Sequence, residues 1–195
     1  FAKEREQFSR PIIQFDMIKA KFARMLTRTW EADNVNYMTS GSIDKSIAKL
    51  DKNSEDYYVG MQKVIEDHAI EASVCKIIGS EALAYVVDES VQVLGGAGFI
   101  EEYGLATLYR DERINRIFEG TNEINRLLIA GMTLKKSILE ELPIRDSISV
   151  REDSWFSCLE STENQSEMVV EYCRSACLMT LNQIILKHGQ DMKNN

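Results

Sequence analysis

The sequence predicts an all-α protein, an up-and-down helical bundle, and three observations carry that reading. Apolar residues recur at helical spacing through almost the whole chain, no stretch sustains the apolar/polar alternation of a half-buried strand, and only two prolines interrupt the pattern. At 195 residues the chain is long enough for one good core and a smaller appendage. Apolar residues make up 44% and charged residues 28%, an ordinary balance for a globular protein. A formal charge of −8 argues against nucleic acid as a partner, because phosphate binding needs a basic face. No apolar run approaches the roughly 20 residues of a membrane span. The opening Phe1-Ala2-Lys3-Glu4-Arg5 reads as mid-helix material rather than a signal peptide, and a start without Met suggests a piece of a longer polypeptide.

The elements follow in order. A helix ending over Phe1 to Phe8 is broken by Ser9-Arg10-Pro11, since proline disfavours helix in the residue before it and removes a donor. A second helix is expected from Asp16 to Met38, with Ile18, Phe22, Met25 and Leu26 on a core-facing stripe. Gly41 to Asp56 turns polar and reads as an exposed loop, partly helical at Ile47 to Leu50. The longest helical pattern runs from Tyr57 to Leu94, and its small residues Gly79, Ser80, Ala82 and Ala84 would let a neighbouring helix pack close. His68, on that pattern, reads as a satisfied core or rim histidine. Gly95-Gly96-Ala97-Gly98 then has two readings: a helix stop, or a place where backbone approaches a dinucleotide closely. It is not a Rossmann fingerprint, which needs a strand in front.

A short helix over Ala106 to Arg116 leads to Ile117-Phe118-Glu119-Gly120-Thr121-Asn122-Glu123. Thr121 is a good N-cap, and Ile124, Leu127, Leu128, Gly131, Leu134 and Ile138 recur after it at helical spacing. Glu119 therefore sits beside unpaired backbone N–H groups at the positive end of a helix dipole. A carboxylate there can serve as a base or anchor, or it can merely balance Arg110, Arg113 and Arg116 in a surface network; both readings stand at this point. Arg110 and Asp111 read as a structural pair supporting the turn. From Pro143 to Gln165 the composition is polar, with Trp155 and Phe156 as a local anchor, and a final amphipathic helix is expected from Met168 to His188. The cysteines, Cys75, Cys158, Cys173 and Cys177, lack the close spacing of a zinc or redox site, and Cys173 and Cys177 read as small buried hydrophobes. With two histidines in the chain, a histidine-rich metal site is excluded.

Four stretches, in order over more than a hundred residues, carry a resemblance. They are Arg5-Glu6-Gln7-Phe8, the run from Cys75 to Ala82, Gln92-Val93-Leu94-Gly95-Gly96-Ala97-Gly98-Phe99, and the Arg110 to Glu123 segment. Together they resemble the C-terminal helical domain of the acyl-CoA dehydrogenase family, and the wording from Phe118 to Asn125 is most similar to the very-long-chain branch. The resemblance implies a bundle over residues 1–142, a linker over 143–165, and over 166–195 the first helix of an additional C-terminal helical domain. It implies FAD-dependent oxidation of a fatty acyl-CoA to the trans-2-enoyl-CoA. Glu119 would be the base that takes the α-proton, and the Gly120 N–H would bind the thioester oxygen.

For the cofactor, the resemblance implies that Arg5 and Gln7 hold the pyrophosphate and ribose side, with Phe8 nearby and Phe15 by the adenine. Gln92, Gly95 and Gly96 would cradle the adenosine end, all on the flavin of a neighbouring subunit, while Thr121, Asn122 and Glu123 contact the subunit's own flavin. A homodimer and an electron-transfer flavoprotein as electron acceptor are implied with it, in a bacterial cytoplasm or alternatively a mitochondrial matrix. Ser9 departs from the family's usual glycine and Asp16 from a common glutamine. An acyl-CoA oxidase and a non-catalytic helical assembly protein of the same fold are the competing readings.

Overall fold

α3 (Ala69–Leu94) is the centre of the bundle, and small side chains make it so. Ser73, Ser80, Ala84 and Val87 are buried along one face and Ala82 and Val93 along another, so neighbours can close on two sides with little side-chain bulk between the axes. One neighbour is α1 (Asp16–Ile47) and the other is α5 (Leu105–Glu112). α1 runs antiparallel to α3: Lys21 pairs with Glu89, the Arg28 guanidinium lies 4.4 Å from the Tyr85 ring centre, Cys75 meets Thr39, and His68 meets Ser42. α2 (Tyr57–Asp67) joins the two, and α6 (Asn122–Ile138) follows the turn after α5. The computed structural model describes residues 1–144, 146–149 and 165–188. Its contacts divide the chain into two units, Phe1–Ile129 and Ala130–Asn195. The second contains α7 (Gln165–His188), together with buried Ser137, Ile148 and Ser175.

The all-α expectation holds, and several local expectations are corrected. Instead of a helix end over Phe1 to Phe8 there is one turn and then a small antiparallel hairpin, β1 (Glu6–Gln7) and β2 (Arg10–Pro11), with Glu6 opposite Pro11 and Gln7 opposite Arg10. Phe8 and Ser9 close it at φ 51° and 63°, a left-handed pair that normally favours Asn-Gly, which is why no hairpin signal was legible. The left-handed angle at Ser9 also explains why glycine suits this position. α1 continues to Ile47, beyond the expected end at Met38, because a polar, exposed helix half carries the composition of a loop while its own backbone bonds stay satisfied. On α1, Phe22 and Leu26 are exposed, and Leu26 is 72% so. The contacts with α3 fall instead on the face of Lys21, Arg28, Val35 and Thr39.

The long pattern from Tyr57 is two helices, interrupted at His68. The imidazole caps the break: Nδ1 donates to the Val64 carbonyl at 2.8 Å, which leaves Nε2 to accept from the Ser42 hydroxyl at 3.1 Å. His68 is thus a satisfied rim histidine, as expected. In α7, Cys173 and Cys177 are exposed rather than buried. Val169, Val170, Tyr172 and Leu186 are exposed as well, so apolar residues surround this helix instead of forming the single stripe that an amphipathic pattern promised. Ile144 and residues 146–149 are helical where a linker was expected. Trp155, Phe156 and Cys158 lie outside the described residues.

The glycine cluster ends α3 as a helix stop should: Gly95 takes φ 59° and the chain turns into the short α4 (Gly96–Phe99). Gly98 has a separate reason to be glycine, since a Cβ there would lie 2.8 Å from the Val91 carbonyl oxygen and 2.9 Å from its Cα. Gly79 has no heavy atom within 4 Å of its Cβ position, so it does not mark close packing in this chain. The two glycines should respond oppositely to alanine. Gly98→Ala is expected to destabilise by about 1–3 kcal/mol through overpacking against backbone. Gly79→Ala should stabilise by about 0.5–1 kcal/mol through helix propensity. Urea denaturation of the two variants checks both signs.

Candidate functional site

Two consecutive left-handed residues shape the turn between α5 and α6: Glu119 at φ 54° and Gly120 at φ 78°. For glycine this costs little, but for glutamate it is a strained conformation that neighbouring bonds must hold. The bonds are on the Gly120 carbonyl, which accepts from Lys76 Nζ at 2.9 Å and from Asn125 Nδ2 at 2.9 Å. Thr121 caps α6 as expected, its Oγ1 accepting from the Ile124 N–H at 3.3 Å. Glu123, in the first turn, accepts from its own backbone N–H and from the Thr121 hydroxyl, and these bonds hold its carboxyl below the usual range.

What the turn leaves unused matters as much. The Glu119 side chain is exposed, and its carboxylate has no hydrogen bond or ion pair among the described residues. The Gly120 N–H likewise has no acceptor among them. The surface-network reading of Glu119 is therefore not what the structure forms: Arg116 pairs with Glu112 at 3.3 Å, and Arg110 and Asp111 are exposed with no ion pair between them. Glu112 is the buried carboxylate of that segment, only 4% exposed, and Glu112–Arg116 takes the supporting place expected of Arg110–Asp111. Beyond the turn, Ile124, Leu127 and Leu128 present an exposed apolar face on α6.

Asn122 anchors the turn to α3. At 1% exposure it is fully buried, and its amide is used at both ends: Nδ2 donates to Ser80 Oγ at 3.0 Å and Glu81 Oε1 at 2.9 Å, while Oδ1 accepts from Lys76 Nζ at 2.6 Å. The Asn122 side chain is thus committed to the protein interior, leaving Thr121 and Glu123 as the accessible side chains of the three. Lys76, Glu81 and Asn125 were not singled out from sequence, and Ser80 was read only as a small residue for close packing. Their partners lie forty residues away or in a turn whose geometry had to be seen, although the run from Cys75 to Ala82 already contained three of them.

A second group forms at the far end of α3. Arg5, Gln7, Gly95 and Gly96 line one groove of about 540 Å³ with Phe1 and Tyr103. The Arg5 guanidinium has no ion pair among the described residues, and no atom lies within 4 Å of the Cβ positions of Gly95 and Gly96. A free planar cation beside bare backbone suits the diphosphate and ribose of a dinucleotide. Phe8 and Phe15 stand apart from this groove, edge to face at 6.2 Å, with the Arg10 guanidinium 4.0 Å from the Phe15 ring centre. Gln92 opens instead into a hollow with Asp88, Gly98 and Phe99. At 1.5 Å per residue along α3, Gly95 is about 29 Å from Lys76, so the groove and the Glu119 turn cannot serve one small ligand.

The fold and these two places define a helical domain that offers an unpaired carboxylate with a free N–H at one end of its central helix and an open groove beside the Arg5 guanidinium at the other. The chain belongs to the acyl-CoA dehydrogenase family: the model for the acyl-CoA dehydrogenase C-terminal domain matches residues 1–134. A "Probable acyl-CoA dehydrogenase" of Bacillus subtilis is 36% identical over 97% of this chain and 33% of its own length. The human very long-chain specific acyl-CoA dehydrogenase, a mitochondrial protein, is 39% identical over 66% of this chain and 17% of its own. A crystal structure of an acyl-CoA dehydrogenase complexed with FAD, from Bacillus anthracis, superposes with a TM-score of 0.85 at 35% identity, over 100% of this chain and 33% of that one. The chain thus spans about a third of the two bacterial relatives.

The Glu81 carboxyl is held below the usual range, first by the Asn122 amide and then by Arg126, with Arg116 adding to the field; partial burial opposes them. A folded-state value below the unfolded one gives stability that is full above the ordinary glutamate range and is lost as pH falls through the depressed value. Glu81→Gln should therefore lower stability at neutral pH by less than about 1 kcal/mol, given its partial exposure, and the difference should shrink in acid. Urea midpoints of both proteins at neutral and acid pH test this.

Proposed function

We propose that the protein containing this chain is an FAD-dependent dehydrogenase that converts a fatty acyl-CoA to the trans-2-enoyl-CoA, with Glu119 as the base. The observation that carries the reading is the Glu119 turn: an unpaired carboxylate next to an unused Gly120 N–H, ahead of an exposed apolar helix face. The proton next to a thioester carbonyl is weakly acidic. Its removal needs a base of raised basicity and a donor on the carbonyl oxygen, where negative charge develops. Glu119 takes the α-proton in this reading, and the Gly120 N–H donates to the thioester oxygen. Ile124, Leu127 and Leu128 offer the acyl chain an apolar surface.

Bound FAD would supply the acceptor for the hydride that leaves the β-carbon. Arg5, Gln7, Gly95 and Gly96 would hold its diphosphate and ribose side, with Phe8, Phe15 and Gln92 further along. Thr121 and Glu123 remain for the flavin nearest Glu119. The separation of the two groups along α3 supports their serving two flavins, and hence a homodimer in which Arg5 and its neighbours reach the partner's cofactor. Glu119 is exposed in this chain, so the exclusion of water that raises its basicity falls to the substrate and to the remaining two thirds of a protein as long as its relatives. An electron-transfer flavoprotein as acceptor is supported by relatives whose names include such proteins, a caffeyl-CoA reductase–Etf complex subunit among them.

In the full-length protein, Glu119→Gln is expected to keep its flavin absorbance and to lose acyl-CoA dehydrogenation by at least about a hundredfold. Turnover near the wild-type rate would rule out the base assignment. The 195-residue chain alone should bind FAD weakly, because its groove is open and it spans only about a third of the length of its bacterial relatives. Fluorescence titration with FAD checks this, and stoichiometric flavin on the purified chain would contradict it.

A further inference from the structure

We infer that Lys76, acting with Asn125, is a positioning residue for the proposed base, an assignment that rests on the Glu119 reading above. The Lys76 ammonium donates at once to the Gly120 carbonyl at 2.9 Å and to Asn122 Oδ1 at 2.6 Å. The Asn122 amide cannot turn away, because its other end is held by Ser80 and Glu81 and the side chain is buried. The ammonium is therefore aimed, and its target is the one carbonyl that sets the orientation of the turn. Asn125 closes on the same oxygen at 2.9 Å from the first turn of α6. Two donors from two helices thus fix the Gly120 peptide.

Glu119 needs such a clamp. Its φ of 54° is a conformation that a residue with a Cβ adopts at a cost, and it persists where surrounding bonds determine it. Once Gly120 O is released, Glu119 and Gly120 can relax to ordinary backbone angles. That would swing the carboxylate and the Gly120 N–H away from each other's reach of a single thioester. Lys76 touches neither substrate nor cofactor in this account. It acts through the backbone, and near-attack geometry is steeply sensitive to such displacement, with about a hundredfold in rate for an ångström.

The test uses the full-length flavoprotein with three variants, Lys76→Met, Asn125→Ala and Glu119→Gln. Lys76→Met is expected to keep its flavin content and thermal midpoint within a few degrees. Its kcat per bound flavin should fall by roughly ten- to a hundredfold with KM little changed. The deuterium isotope effect at the α-carbon should rise, because proton removal becomes the slow step, and hydrogen exchange of the peptide covering residues 117–123 should quicken. Asn125→Ala should show the same pattern more weakly, and it carries the test alone if Lys76→Met does not fold. An unchanged rate per flavin and isotope effect, with loss confined to thermal stability, would overturn the positioning role while leaving the base in place. Should Glu119→Gln still dehydrogenate acyl-CoA, the underlying reading fails instead, whatever Lys76 does.

Discussion

The arrangement depends on a single buried amide. Asn122 is enclosed between α3 and the start of α6, and its amide bonds to Lys76, Ser80 and Glu81 along two turns of α3. An unsatisfied amide at that depth would cost on the order of 1–3 kcal/mol, so the pairing holds the start of α6 against α3. Because a primary amide has a donor end and an acceptor end, it also orders the charges around it. The ammonium of Lys76 falls on the side of the Gly120 carbonyl, and the carboxylate of Glu81 falls on the side of Arg126. Electrostatics and packing thus give one answer about where the turn must lie.

The consequence is a division of labour along α3. Small buried residues in its middle admit α1 and α5 closely. Near its start the polar face of Lys76, Ser80 and Glu81 organises a strained turn. At its finish, Gly95 and Gly96 leave backbone uncovered opposite Arg5, while Gly98 lets α4 fold against Val91. Both places are open: each presents groups toward solvent and encloses nothing by itself. That suits a domain whose bacterial relatives are about three times as long as this chain. The many exposed apolar side chains of α1 and α6 fit the same description.

Much of this could be read before any coordinates. The helical class followed from periodicity, because burying one face of a helix leaves a mark every three or four residues. Thr121 was legible as a cap because a hydroxyl ahead of an apolar run satisfies a donor only in its own turn. The four ordered motifs pointed to the family that the comparisons then showed. Where the reading failed, local chemistry was ambiguous. Phe8-Ser9 closes a hairpin without the residues that usually announce one, a polar helix half near Gly41 resembles a loop, and His68 interrupts a pattern whose periodicity runs on through it.

The sequence by itself determined the helical class, the starts of α1 and α2, the end of α3, the cap on α6 and the presence of a carboxylate at the head of that helix, since each is a matter of residues within a few positions of one another. Only the tertiary structure decided that Glu119 stands free while Arg116 turns to Glu112, that Arg5 and Gly95 share a groove, and that Lys76 reaches the Gly120 carbonyl. The last two join residues ninety and forty-four positions apart. They are set by the antiparallel register and rotation of packed helices, which no local pattern records.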